Sequence, residues 1–67
     1  MTFTPAEQKT IPLLTQPEKI AAQRLGVSLS ALKFHKVNIL RKLGVRNALS
    51  AVALLARRGH AFEIMEA

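Results

Sequence analysis

Four segments of the chain carry start and stop signals of α-helices, with apolar positions at helical spacing between them. The first start signal is Thr4-Pro5-Ala6-Glu7, which combines an N-cap hydroxyl, a proline at the first helical position and a glutamate placed to close a capping box. Pro12 lacks the amide hydrogen that would bond back to Gln8, so a helix that starts at Pro5 should end or kink near Ile11.

The second segment repeats the start signal as Thr15-Gln16-Pro17-Glu18. We expect Thr15 or Gln16 to cap a helix that runs to Leu25, because Gly26 can take the left-handed conformation that ends many helices. The next start signal follows almost at once, so the connection between these two helices should be a tight turn.

The third segment predicts the longest helix, from Leu29 to Leu43, with Ser28 as its N-cap and Gly44 as its stop. Its apolar side carries Leu32, Ile39 and Leu43, with Leu40 beside them. The opposite side, which we call the outward stripe, mixes cations with apolar residues: Ser30, Lys33, Phe34, Val37 and Arg41. Phe34 could contact a ligand, hold a protein partner, or lie in the core if the register is wrong by one position; Val37 should share its fate.

The fourth segment predicts a helix from Ala48 to Arg58, with Asn47 as its cap and a stop at Gly59. Its middle, "AVALLA", is apolar on all sides, whereas a helix that packs one face on a small domain needs only an apolar stripe. The surplus face is a candidate dimer interface and consists of Leu49, Val52, Ala53 and Ala56. The alternative is that the helix is fully buried inside its own monomer.

Length and composition indicate one all-α domain over residues 1–67. Hydrophobic residues make up 49% of the chain but only three are aromatic, so the core must consist of Leu, Ile, Val and Ala, which favours helices over a sheet. We place the core at about residues 3–60; residues 61–67 should extend the last helix, pack back on the domain or fray. Met1 and the short lead before Thr4 weakly favour a stand-alone chain over a piece of a longer protein.

Charge is concentrated in the middle of the chain. The formal net charge is +6, and nine Lys or Arg residues lie from Lys19 to Arg58 without an Asp or Glu among them. A polyanion is the natural partner of such a segment; the alternative is a generally soluble basic surface. A membrane surface is disfavoured because the cations are not on one helix face, and no signal peptide or spanning segment is visible, so we expect a cytoplasmic protein.

Catalysis and metal binding find little support in the residue types. The chain has no cysteine, its only histidines are His35 and His60, and no Ser or Thr has a His and an acid at a recognisable spacing. We expect His35 to be a half-buried structural residue bonded to backbone rather than a contact to the polyanion, and His60 to be a helix C-terminal cation. We therefore predict neither an enzyme nor a cofactor or metal site.

The turn between the second and third helices has the spacing of a helix-turn-helix. Ala22 supplies a small residue where the helices touch, Gly26 lies in the turn, and Leu32 faces back toward the second helix. This pattern alone arises by chance in many helical chains, and the cationic helix that follows strengthens it.

Longer stretches resemble the LuxR/GerE-type helix-turn-helix family. "LKFHKVNILRKLGVRN" is similar to its third helix, T-V-K-x-H-x-x-x-I-L-x-K-L followed by G-V-x-[NS]; "RLGVS", "AVALLARR" and "FTPAE" also match, so the resemblance covers about residues 3–60. It implies a transcriptional regulator that binds double-stranded DNA, with helix 29–43 in the major groove and a homodimer formed through helix 48–58.

The resemblance also implies contacts at matching positions. Base contacts would come from Lys33, Phe34 and Val37, since lysine can donate to guanine and an apolar side chain can touch a thymine methyl. Phosphate contacts would come from six residues, Ser28, Ser30, Lys36, Arg41, Lys42 and Arg46.

The sequence departs from the family pattern at three places. Ala31 replaces a threonine, the entry to the second helix is about two residues shorter, and Ala21 stands where isoleucine is expected, with Ile20 beside it. These departures favour a second hypothesis, a protein-interaction module of the same fold. Its Phe34 and Val37, or its fourth helix, would engage another transcriptional regulator or RNA polymerase.

Overall fold

Four α-helices and one 3₁₀ turn make up the regular structure of residues 2–62, the part of the chain that the computed structural model describes. The elements are α1 (Pro5–Thr10), a 3₁₀ turn (Ile11–Leu13), α2 (Glu18–Leu25), α3 (Leu29–Leu43) and α4 (Ala48–Arg57). The predicted all-α class with four helices is confirmed. Within these residues, no helix combines the length and the apolar character needed to cross a bilayer.

α1 begins and ends where its capping residues and prolines predict. The amide of Glu7 donates to the Thr4 hydroxyl over 3.2 Å, and the amide of Thr4 donates to the Glu7 carboxylate over 2.8 Å, which completes the capping box. The helix then tightens into the 3₁₀ turn at Ile11, because Pro12 has no amide hydrogen to continue the α-helical ladder.

The start of α2 differs from the prediction, since neither Thr15 nor Gln16 is its N-cap. Pro17 occupies that position, with an extended ψ of 144° and no side-chain cap, and its carbonyl accepts the amide of Ala21 over 2.9 Å. Gln16 still belongs to the preceding turn, because its amide donates to the Leu13 carbonyl over 3.0 Å and the residue is buried. Gln16 is therefore held by the turn that precedes α2 and does not serve as the N-cap of that helix.

The connection between α2 and α3 is the tight turn that the sequence predicts. Gly26 ends α2 at φ +68°, and the amide of Val27 donates back to the Ala22 carbonyl over 3.1 Å. Ser28 then caps α3 by accepting the amide of Ala31 over 3.1 Å. Three residues thus separate two helices whose termini are both fixed by hydrogen bonds.

α3 packs against each of the other three helices, and its buried residues serve two hydrophobic clusters. The main cluster has Ile11, Leu14, Ile39, Ala51 and Leu55 at its centre. The elbow cluster, between α2 and α3, has Leu13, Ala21, Ala22 and Leu32 at its centre. Because Leu32 and Ile39 lie near opposite ends of α3 and are fully buried, packing holds the helix at two points.

α4 buries only one side, so the alternative of full burial in the monomer is wrong. Ala51 and Leu55 are fully buried, whereas Leu49 is 80% exposed. Asn47 caps the helix by accepting the amide of Ser50 over 2.8 Å, as predicted. The helix ends at Arg57, one residue earlier than expected.

The chain beyond α4 packs back on the domain as far as it is described. The amide of His60 donates to the Leu55 carbonyl over 3.1 Å, and Phe62 packs against the main cluster. Of the alternatives for the tail, helical extension past Gly59 is wrong for residues 60–62. The remainder of the tail, with Ile64 and Met65, lies outside the described residues.

Candidate nucleic-acid interface

The outward stripe of α3 is exposed along its whole length, as the helical periodicity predicts. Its five residues fall within an arc of about 100°, because each residue advances the helix by about 100°. All five are exposed, including Phe34 at 63% and Val37 at 44%. The alternative that places Phe34 in the core is therefore wrong, and two large apolar side chains lie on a cationic surface.

The ring of Phe34 rests against its neighbour in sequence. Its centroid lies 5.9 Å from that of His35, with an interplanar angle of 63°. His35 is half-buried, as expected. Its imidazole and the exposed Phe34 ring are in edge-to-face contact.

Lys36 does not belong to the outward stripe, because it leans toward α2. Its ammonium lies 3.4 Å from a carboxylate oxygen of Glu18, and its side chain is only 19% exposed. On a helical wheel Lys36 borders the apolar side of α3. This position in the sequence could have indicated that its side chain lies near a neighbouring helix. A phosphate contact by Lys36 would have to compete with the carboxylate.

Lys42 lies on the other flank of α3 and bonds to the N-terminal segment. Its ammonium donates to the carboxylate of Glu7 and, over 3.1 Å, to the carbonyl of Thr2, and it lies 5.8 Å from the centroid of the Phe3 ring. Glu7 is buried in spite of its charge. The hydrogen bond from Lys42 lowers the pKa of Glu7, the amide of Thr4 lowers it further, and burial opposes both.

These two pairs decide which cations α3 presents to solvent. Within residues 2–62 the only acidic side chains are Glu7 and Glu18, and both bond to flanking lysines of α3. Lys33, Arg41 and Arg46 are exposed, and none of them takes part in either pair. The exposed face therefore keeps a positive potential that no described acid offsets locally.

Two exposed hydroxyls lie at the N-terminal end of α3, that of Ser30 on the outward stripe and that of Ser28 at the N-cap. The Ser28 oxygen accepts the amide of Ala31 and can still donate its own hydrogen. On α2, Ala21 is buried and Ile20 is exposed.

The predicted dimer face on α4 is largely exposed. Leu49, Ala53 and Ala56 are exposed, whereas Val52 is half-buried and packs against the main cluster. The surplus apolar face thus exists, with Val52 at its border.

A cleft of about 210 Å³ lies away from the outward stripe. Its lining comes from α1, the end of α2, the turn and α3: Ala6, Lys9, Thr10, Leu25, Val27 and His35. The volume is below the roughly 300–1,000 Å³ that is usual for small-molecule sites. Among the described residues, no group of three His, Cys, Asp or Glu side chains could hold a metal ion.

No protein-family model, curated protein or solved structure matches this chain. The fold and the surface define a small basic all-α protein that exposes a mixed cationic and apolar helix face. Membership of the LuxR/GerE family stays a prediction from the quoted segments.

Proposed function

We propose that the chain is a transcriptional regulator that binds double-stranded DNA, with α2, the turn and α3 acting as a helix-turn-helix and α3 entering the major groove. The observation that carries this proposal is the outward stripe. It presents cations and apolar side chains on one exposed helix face, while both described acids are held on the flanks by Lys36 and Lys42.

The dimensions of α3 suit a major groove, which admits one α-helix. The outward stripe runs from Ser30 to Arg41, a rise of about 16 Å at roughly 1.5 Å per residue. At about 3.4 Å per base pair this length covers some four to five base pairs. One subunit would therefore read a short half-site.

The residues of the stripe have distinct roles in this proposal. Lys33 donates to guanine O6 and N7, and Phe34 and Val37 make apolar contacts to base edges. Backbone phosphates are bound by four exposed residues around the stripe, Ser28, Ser30, Arg41 and Arg46. Lys36 and Lys42 contribute less to phosphate binding in this proposal, because each would have to give up its ion pair with a carboxylate to bind a phosphate.

A dimer through α4 completes the proposal. An isolated subunit makes few contacts, whereas two subunits related by a twofold axis would bind two half-sites at once. The exposed Leu49, Ala53 and Ala56 supply an apolar face whose small residues permit close approach of two helices.

The experiment is a fluorescence-anisotropy titration of a DNA duplex at several salt concentrations. Arg41→Ala should weaken binding to all sequences alike and reduce the slope of log K against log salt by about 0.9. Lys33→Ala should cost about 1–3 kcal/mol at a preferred site and relax the preference at one base pair. Lys9→Ala, an exposed cation beside the cleft, is the control and should change neither quantity.

The proposal is overturned if neither Lys33→Ala nor Arg41→Ala changes binding, or if the wild-type chain shows no salt-sensitive binding at micromolar concentration. A second candidate, a protein-interaction module, is favoured by the exposure of Phe34 and Leu49. If the chain is such a module, the wild type should show no salt-sensitive DNA binding at micromolar concentration.

A further inference from the structure

The exposed apolar pair on α3 points to a particular feature of the target DNA. Resting on the proposed DNA-binding function, we infer that Phe34 and Val37 together read the 5-methyl groups of two thymines on adjacent or next-adjacent base pairs, so that each half-site carries two such methyls.

The spacing of the pair fits two methyl groups. Phe34 and Val37 stand three positions apart on α3, which puts their Cβ atoms about 5–6 Å from each other on one helix face. Neighbouring base pairs are stacked about 3.4 Å apart, and the thymine methyl is the apolar group that the major-groove edge offers. Two side chains on successive helical turns therefore match methyls on adjacent or next-adjacent pairs.

The cations beside Phe34 and Val37 favour DNA over an apolar protein groove as the partner that these two side chains contact. Lys33 directly precedes Phe34, and Arg41 lies one turn beyond Val37, so cations stand at both ends of the apolar patch. A protein groove that buried Phe34 and Val37 would also have to desolvate these charges, at a cost. On DNA the patch meets base edges while Arg41 reaches the phosphates on the rim of the groove.

The patch is also held in place before binding. The Phe34 ring lies edge-to-face with the His35 ring at a centroid distance of 5.9 Å, and Val37 is β-branched and therefore stiff at χ1 in a helix. α3 itself is fixed by the burial of Leu32 and Ile39. The fixed helix and the stiff Val37 side chain reduce the conformational entropy lost on binding, so that more of the free energy of the methyl contacts contributes to selectivity.

The test uses a duplex selected by the protein from a random pool, with single thymines replaced by deoxyuridine. Removal of a methyl at either predicted step should weaken binding about three- to fivefold, which corresponds to the transfer of about one buried methyl group. Deoxyuridine elsewhere in the duplex should have no effect. In a second duplex that carries cytosine in place of one of these thymines, 5-methylcytosine should bind more tightly than cytosine by a similar factor.

Variants separate the methyl contact from DNA binding itself. Phe34→Ala should make the thymine and deoxyuridine duplexes bind equally at one step, and Val37→Ala should do so at the other. Lys33→Ala is the matched control: it should weaken binding yet keep the deoxyuridine effect. Both apolar side chains are exposed, so circular dichroism should show folded variants.

The outcomes are distinguishable. Salt-sensitive binding with equal affinity for thymine and deoxyuridine at every position overturns the methyl inference and leaves DNA binding intact. Unchanged DNA affinity in Phe34→Ala and Val37→Ala also overturns it and assigns the pair to a protein partner. The absence of salt-sensitive binding overturns the proposed function together with the inference.

Discussion

The pair between Lys42 and Glu7 holds α3 against α1, and Lys42→Met tests how much the domain depends on it. The methionine keeps an apolar stem of similar length but removes the ammonium that bonds to Glu7. The carboxylate then remains buried and keeps its hydrogen bond from the amide of Thr4 at 2.8 Å.

The expected cost follows from the burial of the two partners. Removal of one member of a fully buried pair costs about 3–5 kcal/mol. The side chain of Lys42 is 32% exposed and Glu7 keeps one backbone donor, so we expect about 2–3 kcal/mol here. A domain of 67 residues has roughly 3–10 kcal/mol in total, so the melting temperature should fall by about 10–20 °C.

The pH dependence gives a second, independent signature. The pKa of Glu7 is lowered in the folded protein, so its contribution to stability is present above the ordinary glutamate pKa and is lost as the pH falls through the folded value. Lys42→Met removes the largest cause of that lowering, while burial continues to raise the pKa. The difference in the free energy of unfolding between the wild type and Lys42→Met should therefore become smaller as the pH falls.

The assay is urea unfolding followed by circular dichroism, at pH 7 and at pH 4. Arg41→Met, at the exposed neighbouring position, is the control and should stay within about 0.5 kcal/mol of wild type. The double variant Glu7→Gln, Lys42→Met should recover part of the loss, because no buried charge remains. A Lys42→Met protein as stable as wild type at pH 7 would refute the argument.

Three further predictions concern the turn, a helix cap and the exposed face of α4. Gly26→Ala should lower the free energy of unfolding by about 1 kcal/mol in urea, because φ is +68° and the added Cβ meets no other part of the protein within 4 Å, so that local backbone strain accounts for the loss. Asn47→Ala should cost about 1 kcal/mol in the same assay by removing the cap on the Ser50 amide, and an unchanged midpoint would contradict this. Leu49→Glu should leave unfolding of the monomer unchanged but abolish self-association in sedimentation equilibrium, a prediction that fails if the wild type is itself monomeric at about 100 µM.

Local hydrogen bonds explain why the helix boundaries could be predicted from the sequence. Thr4, Ser28 and Asn47 each cap a helix through an amide three residues on, so the signal lies within one short window. The N-cap of α2 differs from the prediction because Gln16 bonds to the turn before it. Capping rules consider only the residues at the helix start and do not include such a bond. Exposure of the outward stripe followed directly from helical periodicity.

The two ion pairs could not be predicted in the same way. Lys36 and Glu18 are 18 positions apart, and Lys42 and Glu7 are 35 apart, so their contacts depend on how the helices pack. Both lysines are bonded to carboxylates in the free protein, and the phosphate contacts that the family resemblance implies for them stay predictions. A count of charges in the sequence therefore does not show which cations of α3 are already paired within the protein.

Selection of bound duplexes from a random DNA pool, by the purified chain at physiological salt, tests the central claim most directly. Two inverted copies of a short half-site at fixed spacing should be enriched, and Lys33→Ala should relax the preference at one base pair of each copy. A pool that stays random after repeated rounds, with no salt-sensitive retention of DNA, would contradict the account.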